Sequence, residues 1–119
     1  MKESVLKEKS YAFAIRIVKL SQFLQSEKKE FVLSKQILRS GTAIGALIRE
    51  AEYGQSKTDF VHKLSIALKE ANETEYWLNI LKDTNFIEEK LFASLLNDCK
   101  EILRLLIASI KTAKQKSDK

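Results

Sequence analysis

Apolar residues recur at intervals of three and four along most of this chain, and that period predicts α-helices. The longest run lies in the third segment and alternates the two spacings: Phe60, Leu64, Ala67, Ala71, Thr74, Leu78 and Leu81. In the first and last segments two adjacent apolar stripes give each helix a broad apolar side. The predicted helices cover about residues 5–26, 31–53, 57–84 and 88–112, and a basic tail is predicted over 113–119.

The connections between these segments are short, so consecutive helices are expected to be antiparallel neighbours. Proline is absent and glycine occurs three times, which suits long helices and disfavours turn-rich β folds. A chain of 119 residues is long enough for one domain with its own core. The sequence therefore predicts an all-α fold, an up-down antiparallel four-helix bundle that forms a single domain over 1–119.

The middle of the second helix consists almost entirely of small residues. Gly41 and Gly45 are four positions apart and therefore share a face of the helix. Each glycine costs roughly 1 kcal/mol relative to alanine in a helix interior, so their presence indicates close packing against a neighbouring helix or another subunit. The alternative is a loop at 40–42 that divides the segment.

Three aromatic residues are further candidates for an interface. Tyr76 and Trp77 are adjacent, so their side chains point about 100° apart on a helix and only one can lie fully in the core. Tyr53 lies at the end of the second predicted helix. Aromatic side chains of this kind are enriched where protein surfaces meet, so we take Tyr53, Tyr76 and Trp77 together with the two glycines as interface or packing candidates.

The formal net charge is +5, and the excess of positive charge lies near the two ends of the chain. Such a distribution is consistent with a surface that binds the phosphate backbone of nucleic acid. The alternative is a charged surface that only keeps the protein dissolved. The candidate phosphate contacts are Lys7, Lys9, Arg16, Lys19, Arg104, Lys111, Lys114 and Lys116.

No combination of residues predicts catalysis. The chain has one histidine and one cysteine, too few for a di-iron or zinc site. Cys99 lies on the apolar stripe of the last predicted helix, where a buried, inert thiol is expected. A histidine phosphotransfer domain is a remote alternative, because such domains are bundles of this size. His62, however, is not followed by the glycine those domains usually carry. We expect no enzyme activity, no metal or other cofactor and no small-molecule substrate.

Two observations bear on the cellular location. No apolar run approaches the roughly 18 residues that a membrane span needs, and the first ten residues lack the apolar block of a signal peptide. The lone Cys99 forms no disulfide within the chain, which fits a reducing compartment. We therefore expect a cytoplasmic protein with no membrane partner.

Several segments, in their order and spacing, resemble a known family. The segments read QILRSGTAIG at 36–45, SKTDF at 56–60, KLSIALKEA at 63–71 and ETEYWL at 73–78. They resemble the bacterial four-helix bundle proteins encoded by intervening sequences within 23S ribosomal RNA genes, and the resemblance extends over 11–110. The chain is also similar to the accessory protein of diversity-generating retroelements. It departs from many members at Leu47, where they carry asparagine.

The resemblance implies an up-down bundle that assembles as a homo-oligomer, with a pentamer favoured, and that binds RNA or DNA through a basic surface. It implies no established activity. Together with the basic chain ends, it favours a non-enzymatic, oligomeric, nucleic-acid-associated protein. The alternative is a structural or adaptor bundle that binds another protein and uses its charge only for solubility.

Overall fold

The computed structural model describes residues 2–117, with side chains described from Val5 to Lys116. Four α-helices make up this part of the chain: α1 (Lys2–Glu27), α2 (Leu33–Glu52), α3 (Lys57–Asp83) and α4 (Glu89–Ser117). No strand occurs among the described residues. The prediction of an all-α four-helix bundle is therefore confirmed.

The helices pack in cyclic order, so that each contacts its two neighbours and the pairs α1–α3 and α2–α4 lie on the diagonals. The bundle is a rod of 52 × 22 × 19 Å. Buried side chains from all four helices form one apolar cluster along its axis, with Ile17, Ile44, Leu78 and Leu106 each fully buried. Burial of this apolar surface is the main force that holds amphipathic helices together.

Helix α2 runs without interruption through 40–42, so the alternative of a loop there is wrong. Gly41 is buried at the contact with α1, where a Cβ atom added to it would lie 2.8 Å from Cγ2 of Ile17. The glycine therefore lets two helices of the same chain approach closely. Next to it, the hydroxyl of Thr74 donates to the hydroxyl of Ser40 at 2.9 Å, and this buried pair joins α2 to α3.

Glu30 closes the N-terminus of α2, a feature that the sequence analysis did not identify. Its carboxylate accepts hydrogen bonds from the backbone N–H groups of Val32, Leu33 and Ser34 at 3.2, 3.0 and 2.7 Å. Partial burial raises the pKa of Glu30, but the three backbone donors outweigh it and hold that pKa below its ordinary value. The carboxylate thus satisfies N–H groups that have no partner inside the helix.

We expect Glu30→Gln to lower the free energy of unfolding by about 1 kcal/mol at neutral pH, because the charged cap is lost. A carboxylate with a depressed folded-state pKa stabilises the fold above its unfolded pKa of about 4.3, and that contribution disappears as the pH falls through the folded-state value. Urea denaturation of both proteins between neutral pH and about pH 3 measures the difference. The control Glu27→Gln, at an exposed position, is expected to change little; a difference that persisted unchanged into acid would contradict the cap.

The connection from α2 to α3 ends one helix and starts the next within a few residues. The hydroxyl of Ser56 accepts the backbone N–H of Asp59 at 3.1 Å and caps α3. Gly54 follows α2, and its N–H donates to the carbonyl of Ala51 at 3.0 Å. Its φ is not positive, so it does not form the left-handed cap that glycine often provides.

The end of α4 differs from the prediction. The helix was expected to end near residue 112 and to be followed by a basic tail over 113–119, yet α4 continues to Ser117. Ala113 is buried, so the helical period of apolar contacts extends one turn beyond the predicted end. Residues 118 and 119 of the predicted tail lie outside the described residues. Lys114 and Lys116 are therefore held on a helix.

Candidate nucleic-acid interface

The bundle brings the two basic chain ends to the same pole. In an up-down arrangement of four helices, the start of α1 and the end of α4 lie next to each other. Between Ile102 and Ser117 the helix α4 carries four cationic residues and no carboxylate. Positive charge that is separated along the sequence is thus concentrated in space, as an electrostatic footprint for a polyanion requires.

Two of the predicted phosphate contacts hold α1 to α4 instead of standing free. The ammonium of Lys9 lies 3.3 Å from the carboxylate of Glu101, and the guanidinium of Arg16 lies 2.7 Å from that of Asp98. All four side chains remain partly exposed, so each pair contributes only modestly to stability. Their charges are nevertheless balanced locally, which reduces what Lys9 and Arg16 offer to a phosphate.

A third predicted contact, Lys7, is paired in the same way, because its ammonium lies 2.9 Å from the carboxylate of Glu52 on α2. Lys19 is exposed further along α1, towards the opposite pole. Lys116 lines a groove beside Lys57 and Gly54, at the connection of α2 and α3. The structure therefore does not gather all eight predicted residues into one surface.

The remaining predicted cations form a line on α4. Arg104, Lys111 and Lys114 are exposed, and Lys100 precedes them at the same helical spacing. We call these four residues the α4 cationic stripe. Lys100 was missed by the sequence analysis although its distance of four positions from Arg104 would have identified it. Its ammonium lies 3.4 Å from the carboxylate of Glu75 on α3.

Apolar side chains of α3 and α4 border this stripe. Ile107 is 54% exposed between Arg104 and Lys111. A notch of about 350 Å³ between the two helices is lined by Leu68, Ile107, Ile110 and, at its rim, Lys111 and Lys114. The surface of α3 and α4 therefore combines cations with exposed apolar side chains.

Acidic residues of α3 face the other neighbour. The guanidinium of Arg39 on α2 lies 2.6 Å from the carboxylate of Glu73 and 3.2 Å from that of Glu70. The hydrogen bond from Arg39 lowers the pKa of Glu73 below its ordinary value. Glu70 and Glu73 therefore form an ion-pair cluster with Arg39 between α2 and α3. Glu50 pairs similarly with Lys63 of α3 at 3.0 Å.

The predicted interface residues have different environments. Tyr53 and Tyr76 are exposed, whereas Trp77 is partly buried against the core and meets the ring of Tyr76 edge to face at 5.1 Å. Gly41 is buried inside the chain. Gly45 lies in a groove between α1 and α2, where an added Cβ would make an ordinary contact with the carbonyl oxygen of Ser10 at 3.4 Å.

The side chains with potential for chemistry do not assemble a site. Cys99 is buried, and burial raises the pKa of its thiol to about 12, which makes it inert, as predicted. His62 is exposed. Among the described residues, no three His, Cys, Asp or Glu side chains lie together as a metal site would need. Over the same residues, none of the helices has the length and apolar character needed to cross a bilayer.

Helix α1 carries exposed apolar side chains on its outer side in addition to those it buries in the core. Among the described residues, half of the ten large exposed hydrophobic side chains belong to α1. Tyr11, Ile15 and Val18 are spaced four and three apart and share one outer face, which we call the α1 apolar stripe. Exposed apolar side chains grouped in this way are a candidate surface for contact with another molecule.

Fold and surface together define a four-helix bundle with a cationic stripe on α4 and an exposed apolar stripe on α1. The 23S rRNA-intervening sequence protein family matches residues 2–108, and the chain belongs to this family. It is similar, at 61% identity and a TM-score of 0.93, to the crystal structure at 1.70 Å of a protein with unknown function from the S23 ribosomal protein family of Bacteroides thetaiotaomicron VPI-5482. The match covers 93% of this chain and 99% of that one. No curated protein matches the chain.

Proposed function

We propose that this protein is a non-enzymatic homo-oligomer in the cytoplasm that binds nucleic acid through the α4 cationic stripe. The observation that carries the proposal is the α4 cationic stripe, a line of four cations. Helix α4 has no carboxylate between Ile102 and Ser117. Lysine and arginine on one helix face bind the phosphate backbone and release its counterions.

The distribution of ion pairs supports the choice of this face. Lys7, Lys9 and Arg16 are each paired with a carboxylate of a neighbouring helix. Within the stripe Lys100 is paired with Glu75, whereas Arg104 and Lys111 belong to none of the ion pairs between helices in the described part of the chain. A cation without a carboxylate partner binds a phosphate without breaking an existing ion pair, so less of the binding free energy is lost.

The α1 apolar stripe supports the oligomeric part of the proposal. Its side chains are 62%, 41% and 37% exposed in one copy, so burying them further would gain a corresponding part of the about 1.5–3 kcal/mol that full burial of such a side chain contributes. Burial against a second copy would remove this apolar surface from water. The family resemblance favours five copies.

The binding proposal is tested by fluorescence anisotropy with labelled RNA and DNA between about 50 and 200 mM salt. We expect binding at the low end and a steep loss of affinity with salt. The double variant Arg104→Glu/Lys111→Glu is expected to bind at least about tenfold more weakly and to lower the magnitude of the salt slope by about 1.5.

The matched control is Lys35→Glu/Lys90→Glu, which changes the net charge equally at exposed positions outside the stripe. We expect this control to retain most of the affinity. Equal losses in the two variants would mean that net charge alone acts, and no binding at low salt would overturn the proposal. In that case the adaptor alternative, binding to another protein, becomes the better explanation.

A further inference from the structure

The α4 cationic stripe is straight and narrow. From Lys100 to Lys114 it spans fourteen residue steps, or about 21 Å along one side of a helix. On the flanking surface of α3, the carboxylate of Glu75 pairs with Lys100 and so offsets part of the positive charge beside the stripe. A single row of cations follows one phosphate backbone, whereas a duplex presents two backbones across a groove.

The groups beside the stripe suit exposed bases. Tyr76 directly follows Glu75, so it lies at the level of Lys100 along the bundle; its side chain points about 100° further round α3 and is 58% exposed. The edge-to-face contact with Trp77 at 5.1 Å restricts the orientation of this ring. Ile107 and the notch at Leu68 offer further apolar surface between the cations. A duplex hides the faces of its bases, but a single strand offers each of them for stacking.

From this arrangement we infer that the α3–α4 face selects single-stranded nucleic acid, with phosphates along the α4 cationic stripe and a base stacked on Tyr76. The inference rests on the proposed function and specifies its ligand. Backbone contacts supply affinity that is independent of sequence. Stacking on the tyrosine supplies the preference for unpaired bases, because every base has an aromatic face.

The test compares anisotropy of one labelled oligonucleotide as a single strand and as a duplex, in RNA and DNA forms, with the full-length chain. We expect tighter binding of the single strand. Tyr76→Ala is expected to weaken single-strand binding about tenfold and to leave duplex binding unchanged, while Tyr76→Phe retains the preference. Tyr53→Ala, at a tyrosine on the α2–α3 connection that is still more exposed than Tyr76, is the control and is expected to behave as the unaltered protein.

Trp77 provides a second measurement, since it is the only tryptophan and touches Tyr76. Its fluorescence is expected to change on addition of single strand and not of duplex. Equal affinity for the two forms, or an equal loss for both in Tyr76→Ala, would overturn the inference. The proposed function fails separately, if Arg104→Glu/Lys111→Glu binds every nucleic acid as well as the unaltered protein does.

Discussion

Gly41→Leu is expected to lower the free energy of unfolding by about 3 kcal/mol or more, and Gly41→Ala by about 1–3 kcal/mol. An added Cβ would lie 2.8 Å from Cγ2 and 2.9 Å from Cγ1 of Ile17, which is fully buried. The isoleucine is branched at Cβ and cannot turn both Cγ atoms away. The clash therefore outweighs the roughly 1 kcal/mol that alanine gains over glycine in a helix.

Urea denaturation measures this effect, and the same helix supplies a control of opposite sign. At Gly45 an added Cβ meets only an ordinary contact at 3.4 Å, so Gly45→Ala is expected to stabilise the protein by about 0.5–1 kcal/mol. A double-mutant cycle with Ile17→Ala is expected to show strong coupling to Gly41→Ala, because the smaller residue removes both clashing atoms. A Gly41→Ala protein more stable than the original would contradict this account.

Ile15→Glu is expected to convert the proposed oligomer into folded monomers. The substitution places a charge at the centre of the α1 apolar stripe, and burying an unpaired carboxylate in an apolar contact costs several kcal/mol in each copy. Ile15 is 41% exposed in a single copy, so the fold of the monomer is expected to survive.

Sedimentation velocity and circular dichroism together check this result. Gln36→Glu on the exposed side of α2 adds the same charge and is expected to leave the oligomer intact. An Ile15→Glu protein that sediments like the unaltered one would show that another face forms the contact. A monomeric unaltered protein would end the oligomeric proposal.

The fold could be predicted because the apolar period is continuous and the connections are short. Helix ends were less accurate: α4 was predicted to end too early, since a run of lysines looks like a tail although Ala113 still packs inward. The cap of α2 by Glu30 was missed. In the usual pattern the side chain of the N-cap residue itself accepts the backbone N–H groups, but here the N-cap is Val32 and the carboxylate comes from Glu30, two positions earlier.

The candidate site was less predictable, because ion pairs between helices depend on their register. Arg16 and Asp98 are 82 positions apart, and no local spacing relates them. A list of cations therefore mixed paired residues such as Arg16 with unpaired ones such as Arg104. The spacing along α4 itself was visible in the sequence, and it would have added Lys100.

The relative positions of α1 and α3 affect how strongly a proposed oligomer would hold one nucleic-acid strand. Since α1 and α3 lie on a diagonal of the bundle, copies joined through α1 would leave α3, with Tyr76 on it, facing outward. A strand long enough to reach a second copy would then bind it at high effective concentration, so strand length would set the overall strength of attachment.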